Sequence, residues 1–108
     1  MMFVSSIRMK AQPGKRKEIL QTINGIIDQL SLKKGCLDVS SYQDIDDENI
    51  FYVVEEWQTE QDLNEYLHSK LFAVLLGIKT ILVDRPEIKI LSEKCCYNCE
   101  EKEKIQVQ

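Results

Sequence analysis

The chain has 108 residues, 44% hydrophobic and 30% charged, which is typical of one globular domain and not of a disordered chain. The formal net charge of −4 at pH 7 gives no broad cationic surface for phosphates, so nucleic acid is excluded as a partner. No apolar run reaches the roughly 18 to 20 residues that span a bilayer, and no secretory signal pattern opens the chain. We therefore expect a cytoplasmic protein without membrane contact.

Alternation of apolar and polar residues over positions 3–11 predicts a first strand. Phe3 and Ile7 fall on one side of this strand, whereas Ser6 and Arg8 fall on the other. This pattern is typical of a strand with one face in the core and one face toward solvent or a partner.

The next segment predicts a helix followed by a β-hairpin. Apolar residues recur every three or four positions over residues 15–32, as in an amphipathic helix, and Gly35 is expected to end that helix in a left-handed conformation. Residues 36–43 and 50–58 predict two strands, and the short acidic turn between them favours an antiparallel pair.

The second half predicts a helical stretch and a final strand. Thr59 with Asp62 three positions later resembles a capping box at a helix start, and Ser69 marks a second start before an apolar run. Pro86 ends the helical stretch, and residues 87–91 predict the last strand. The order β-α-β-β-α-β predicts a ferredoxin-like α+β fold with an antiparallel sheet.

The third strand predicts an oligomer, because both sets of its alternate residues are largely apolar. One set is Phe51, Val53, Glu55 and Trp57, and the other is Ile50, Tyr52, Val54 and Glu56. Two helical segments can cover only one face of a four-stranded sheet, so we expect the uncovered face to pair with a second copy in a homodimer.

The domain is expected to span residues 1–91, followed by a polar tail over 92–108 that is disordered or adds one helical turn or strand. Cys95, Cys96 and Cys99 lie in this tail. Three thiolates fall short of the four ligands of tetrahedral zinc, so the three cysteines are only weak metal candidates and we predict no metal site. A redox pair and incidental thiols are the alternatives.

Four short motifs then suggest a family. They are Lys10–Lys15 after the first strand, Lys34–Leu37 at the second, Glu55–Trp57 at the end of the third, and Tyr66–Ser69 followed by Phe72. In this order and spacing, over residues 3–91, they resemble the antibiotic-biosynthesis-monooxygenase domain.

The resemblance implies a dimeric α+β barrel with a pocket between the sheet and its helices. Relatives include oxygenases that oxidise phenols, quinols or anthrones without flavin, haem or metal, since the deprotonated substrate itself reduces dioxygen. We therefore expect a monooxygenase without a cofactor that acts on a small aromatic molecule of the phenolic or quinol type. The alternative is a non-catalytic small-molecule-binding or regulatory dimer that has lost the family's histidines.

The sequence also departs from the family pattern. In many members the second helix has a sequence that resembles His-Leu-x-Ser-x-His-Phe. In this chain Tyr66 and Leu71 occupy the two histidine positions. The single histidine, His68, is offset from both. The haem-degrading branch of the superfamily has a pattern that resembles Asn, Trp and His at three positions. This chain has Ile7, Tyr66 and Leu76 there, which argues against haem degradation.

The candidate site residues follow from the strand faces and the resemblance. Tyr66 is the first candidate for a catalytic hydroxyl and His68 for a base, each with packing or surface exposure as the alternative. Candidate pocket residues are Trp57, Glu55, Ser6, Arg8 and Phe72. Glu55 either points into the pocket or forms a cross-strand ion pair with Arg8 or Lys10, and we favour the ion pair.

Overall fold

A computed structural model describes residues 2–92 and the backbone of residues 105–106. Its elements run in the predicted order. They are β1 (Phe3–Lys10), α1 (Arg16–Leu30), β2 (Cys36–Gln43), β3 (Ile50–Trp57), α2 (Glu60–Leu67), α3 (Lys70–Leu76), a 3-10 helix (Gly77–Ile81), β4 (Glu87–Ser92) and the two-residue β5 (Ile105–Gln106). The ferredoxin-like α+β prediction is confirmed.

The sheet has the order β2-β3-β1-β4-β5, and neighbouring strands are antiparallel. In β1 and β3 the register places Ser5 opposite Glu55 and Phe3 opposite Trp57. Because cross-strand partners point to the same face of a sheet, these four side chains share one face. β5 pairs with β4, so the end of the predicted tail contributes a strand to the sheet. Cys95, Cys96 and Cys99 lie outside the described residues.

The helices cover one face of this sheet. Their buried side chains, from Ile19 on α1 to Leu75 on α3, form a single apolar core with the inward residues Ile7, Val53 and Ile88 of the strands. The inward set of β3 is Phe51, Val53, Glu55 and Trp57, all buried, whereas Tyr52, Val54 and Glu56 on the other face are only half-buried. We call this second surface the open face.

Both predicted helix starts are confirmed. The Thr59 hydroxyl accepts a hydrogen bond from the Asp62 backbone N–H at 3.1 Å, and the Ser69 hydroxyl accepts one from the Phe72 N–H at 3.2 Å. These bonds satisfy backbone donors that a helix end leaves without a partner. They also fix where α2 and α3 begin, and therefore which way Tyr66 and Phe72 point.

The predicted helix end at Gly35 is wrong. α1 ends at Leu30, with Ser31 as its C-terminal cap, and residues 31–35 form turns before β2. Gly35 does have a positive φ of 83°, but its place is the turn into β2, where a Cβ would collide with the Asp62 side chain. The glycine is required by the close approach of α2 and by the turn, both of which lie beyond α1 in the chain.

Within the described residues, no helix is both long enough and apolar enough to cross a membrane.

Candidate functional site

A buried polar group lies on the helix-covered face of the sheet, at the end of β3 that is nearest to α2. The Glu55 carboxyl and the Ser5 hydroxyl belong to residues with no exposed surface. The Ser5 hydroxyl donates a hydrogen bond to Glu55 Oε1, and the Tyr66 hydroxyl donates one to Glu55 Oε2 at 3.4 Å. The Trp57 indole N–H donates to Ser5 Oγ at 3.2 Å. We call these four residues the Glu55 network.

Aromatic rings enclose this network. The Trp57 ring stacks on the Tyr66 ring with centroids 5.0 Å apart, and the Phe72 ring meets Tyr66 edge-on at 5.2 Å. All three rings are buried. Such stacked and edge-to-face pairs stabilise their arrangement beyond simple apolar burial, so they hold the phenol of Tyr66 against the carboxyl of Glu55.

Burial dominates the electrostatics of the network. Loss of water around the carboxyl raises the pKa of Glu55 to about 8, although the hydrogen bonds from Ser5 and Tyr66 act in the opposite direction. Burial, followed by the nearby Glu55 charge, raises the pKa of Tyr66 above its ordinary value. Tyr66 therefore remains a hydrogen-bond donor at any physiological pH, and Glu55 titrates close to neutrality.

The ion pair that we favoured for Glu55 is wrong. Arg8 and Lys10 lie on the open face of β1, on the opposite side of the sheet from the Glu55 carboxyl. Lys10 instead pairs with Asp47 at 3.5 Å. The Glu55 side chain instead points toward the helices, which was the other alternative.

The predicted site residues divide into two groups. The structure brings Glu55, Trp57, Tyr66 and Phe72 together in one buried cluster. It does not bring Ser6, Arg8 and His68 there, since Ser6 and Arg8 lie on the open face.

His68 is the exposed C-terminal cap residue of α2. Its Nδ1 lies 2.8 Å from the Asn64 carbonyl oxygen. The ring lines a shallow surface depression with Asn64 and Glu65, outside the buried cluster. A histidine in this position does not reach the Glu55 network, so the role of base cannot be assigned to it from this geometry.

Ser5 was missed by the sequence reasoning, although the alternation of β1 contains it. Ser5 falls in phase with Phe3 and Ile7, which makes it a hydroxyl on the apolar side of the strand. A buried polar side chain requires a partner. The inward carboxyl of Glu55 on the neighbouring strand is that partner.

The chain matches one protein family by sequence and many solved structures by fold. The model of the family described as antibiotic biosynthesis monooxygenase matches residues 2–75. A comparison of the sequence with curated proteins finds no match.

Solved structures share the fold at low sequence identity. A conserved protein from Methanosarcina mazei superimposes with a TM-score of 0.77 at 23% identity, covering 83% of this chain and 90% of its own. A Nitrosomonas europaea protein that bears the family's name gives 0.79 at 14% identity, covering 91% and 93%. Another of that name, from Deinococcus radiodurans, gives 0.76 at 16%, covering 83% and 90%.

Proposed function

Because the chain belongs to the antibiotic biosynthesis monooxygenase family, we propose that it is a cofactor-independent monooxygenase acting on a small phenolic or quinol-like molecule. The observation that carries this proposal is the buried Glu55 carboxyl, held by Ser5 and Tyr66 among aromatic rings. Glu55 is the general base. It takes the place that sequence reasoning offered to His68.

The raised pKa of Glu55 suits it to this role. A phenol loses its proton with a pKa of about 10, and an ordinary glutamate has a pKa near 4.3. Proton transfer from the phenol to an ordinary glutamate is thus uphill by about 8 kcal/mol, but transfer to a carboxylate of pKa about 8 is uphill by only about 3 kcal/mol. Burial of the carboxyl therefore makes Glu55 a stronger base toward a phenol than an ordinary glutamate is.

The remaining steps need only the substrate and dioxygen. The phenolate gives one electron to O₂, and the two radicals combine to form a C–O bond at the para carbon. The para C–H proton then passes to the outer peroxide oxygen as the O–O bond breaks, which forms a carbonyl and releases hydroxide. The hydroxide takes the proton held by Glu55 and becomes water. One phenol and one O₂ give one quinone and one water, so no external reductant is consumed.

The other residues of the cluster supply binding and protection from water. Tyr66 donates a hydrogen bond to the substrate oxyanion, while the faces of Trp57 and Phe72 hold the aromatic ring in an apolar setting. Glu55 has no exposed surface, so the substrate reaches it as the Tyr66 and Phe72 rings move aside. Helices α2 and α3 are separated at His68 and Ser69, and we propose that the movement occurs at this break.

We further propose that the working form is a homodimer joined through the open face of the sheet. Val4, Val54 and Leu91 are apolar side chains on that face, which the helices leave uncovered. A cytoplasmic location stays a prediction.

Oxygen uptake with a panel of phenols, quinols and anthrones tests the proposed activity. We expect uptake with at least one of them, incorporation of one ¹⁸O atom per product from ¹⁸O₂, and a kcat/KM that rises with pH and levels off above about 8 as Glu55 ionises. Replacing Glu55→Gln should lower kcat by about 100-fold or more, the usual contribution of a general base.

The matched control is Glu56→Gln, which removes the neighbouring carboxyl from the open face. It should retain activity. Folded, dimeric protein that takes up no oxygen across the panel would contradict the proposal, and a tightly held aromatic ligand without turnover would then support the binding-module alternative.

A further inference from the structure

Ser5 has an unusual position inside the Glu55 network, between two groups whose hydrogen-bonding roles differ. Its hydroxyl accepts from the Trp57 indole N–H at 3.2 Å and donates to Glu55 Oε1. All three residues have no exposed surface, so water does not compete for these bonds. Ser5 lies on β1, whereas both of its partners lie on β3.

The direction of these hydrogen bonds follows from which side-chain atoms can donate a proton and which can accept one. An indole nitrogen has a proton and no acceptor lone pair, so it can only donate. Ser5 Oγ must accept from it, and the single hydroxyl proton of Ser5 is then directed to Glu55 Oε1. Oε1 therefore receives a proton from Ser5 in every state of the network.

The other carboxyl oxygen is held differently. Oε2 receives only the long 3.4 Å bond from Tyr66, and a phenol can either donate a proton or accept one. When Glu55 is ionised, Tyr66 donates to Oε2. When Glu55 is protonated, Oε2–H can donate to the oxygen of Tyr66.

We propose that Ser5 is a positioning residue that, oriented by Trp57, engages Oε1 of Glu55 and reserves Oε2, on the Tyr66 side, for the exchangeable proton. The Ser5 hydrogen bond favours the ionised carboxylate over the neutral acid, because a bond to a charged acceptor is the stronger one, whereas Tyr66 can partner either form. The inference rests on the proposed function for its role in turnover, since it aims the basic lone pair of Glu55 toward the aromatic cluster.

Few charged or titratable groups face Glu55 from the elements packed against it. Tyr66 faces it from α2, and the Cys36 thiol lies on β2, where burial and then the Glu55 charge raise the pKa of Cys36. From β1 the neighbour is the uncharged Ser5. The titration of Glu55 is consequently sensitive to the direction of the Ser5 hydroxyl.

The test is a pH titration of protein labelled with ¹³C at the glutamate carboxyl carbon, followed by NMR without any substrate. Ordinary glutamates titrate near pH 4.3, so a resonance that moves between pH 6 and 10 reports Glu55, with an expected midpoint of about 8. We expect Ser5→Ala to raise this midpoint by about one pH unit, because the ionised form loses a stronger hydrogen bond than the neutral form does.

Three further variants separate the positioning role from general disruption. Ser6→Ala removes the adjacent hydroxyl on the open face and should leave the midpoint unchanged. Tyr66→Phe should move it less than Ser5→Ala does. Trp57→Phe should raise it, because Ser5 Oγ is then free to accept a proton from the neutral carboxyl.

An unchanged or lowered midpoint in Ser5→Ala would overturn the proposal. If Ser5→Ala does not fold, Trp57→Phe decides instead, with a raised midpoint in support and an unchanged one against. These titrations use no substrate, so a failure to find oxygen uptake would refute the proposed function without affecting this result. Conversely, an active enzyme with an unchanged Ser5→Ala midpoint would refute only the role of Ser5.

Discussion

The two faces of β3 carry similar residues with different surroundings. Val53 and Glu55 point toward the helices and are buried, while Val54 and Glu56, the next residues along the chain, point to the open face and are half-buried. On the helix side, the carboxyl has fixed partners and a raised pKa. The comparison shows that the face on which a side chain lies, more than its type, determines what it can do chemically.

A positive charge placed on each face of β3 in turn tests the difference between the two faces. Val53→Lys introduces an ammonium group among the apolar side chains of the core, where Val53 is 1% exposed, and the nearby buried carboxyl of Glu55 already has its partners in Ser5 and Tyr66. We expect a loss of about 4 kcal/mol or more in the free energy of unfolding, measured by urea denaturation. A variant as stable as the wild type would contradict the placement of the core.

The same substitution one residue later should have a different outcome. Val54→Lys leaves the core intact but puts two ammonium groups into the proposed two-fold interface, so we expect a folded monomer or insoluble protein in place of the proposed dimer. Light scattering after size exclusion at micromolar concentration measures the difference. Ile45→Lys, at a position 96% exposed in the β2–β3 turn, is the control and should remain dimeric. Wild-type protein that runs as a monomer would refute the dimer.

A smaller effect distinguishes the two glutamates. Since the folded state raises the pKa of Glu55 to about 8, the folded protein binds a proton there more strongly than the unfolded chain does. The resulting stabilisation is present below the unfolded pKa and is lost as the pH rises toward about 8. It is on the order of a few kcal/mol, because one pKa unit corresponds to about 1.4 kcal/mol.

Urea denaturation at several pH values between 5 and 9 measures this slope. Glu55→Gln should flatten it, because the amide does not titrate, whereas Glu56→Gln should keep the slope of the wild type. Equal slopes in the wild type and Glu55→Gln would show that folding does not raise the pKa of Glu55.

Local sequence patterns were sufficient to predict the order of the elements, the inward-facing residues of β1 and the two helix caps at Thr59 and Ser69. Each of these depends on residues close together in the chain. Apolar periodicity reports the face that a helix or strand buries, and a cap bonds a backbone group three residues away. The bounds of β2 were likewise predicted, because the strand lies between the glycine turn at Gly35 and the acidic turn that follows Gln43.

The partners of these residues depend on the tertiary structure. Periodicity gave two possible faces for β3, and the packing of α2 selected the one with Glu55 and Trp57. The choice of Ser5 over Ser6, and of Tyr66 over Arg8, as partners of Glu55 depends on the register of β1 against β3 and on the placement of α2. Such contacts join residues as far apart in the chain as Ser5 and Glu55, and local patterns carry no information on which distant side chain a buried polar group will meet.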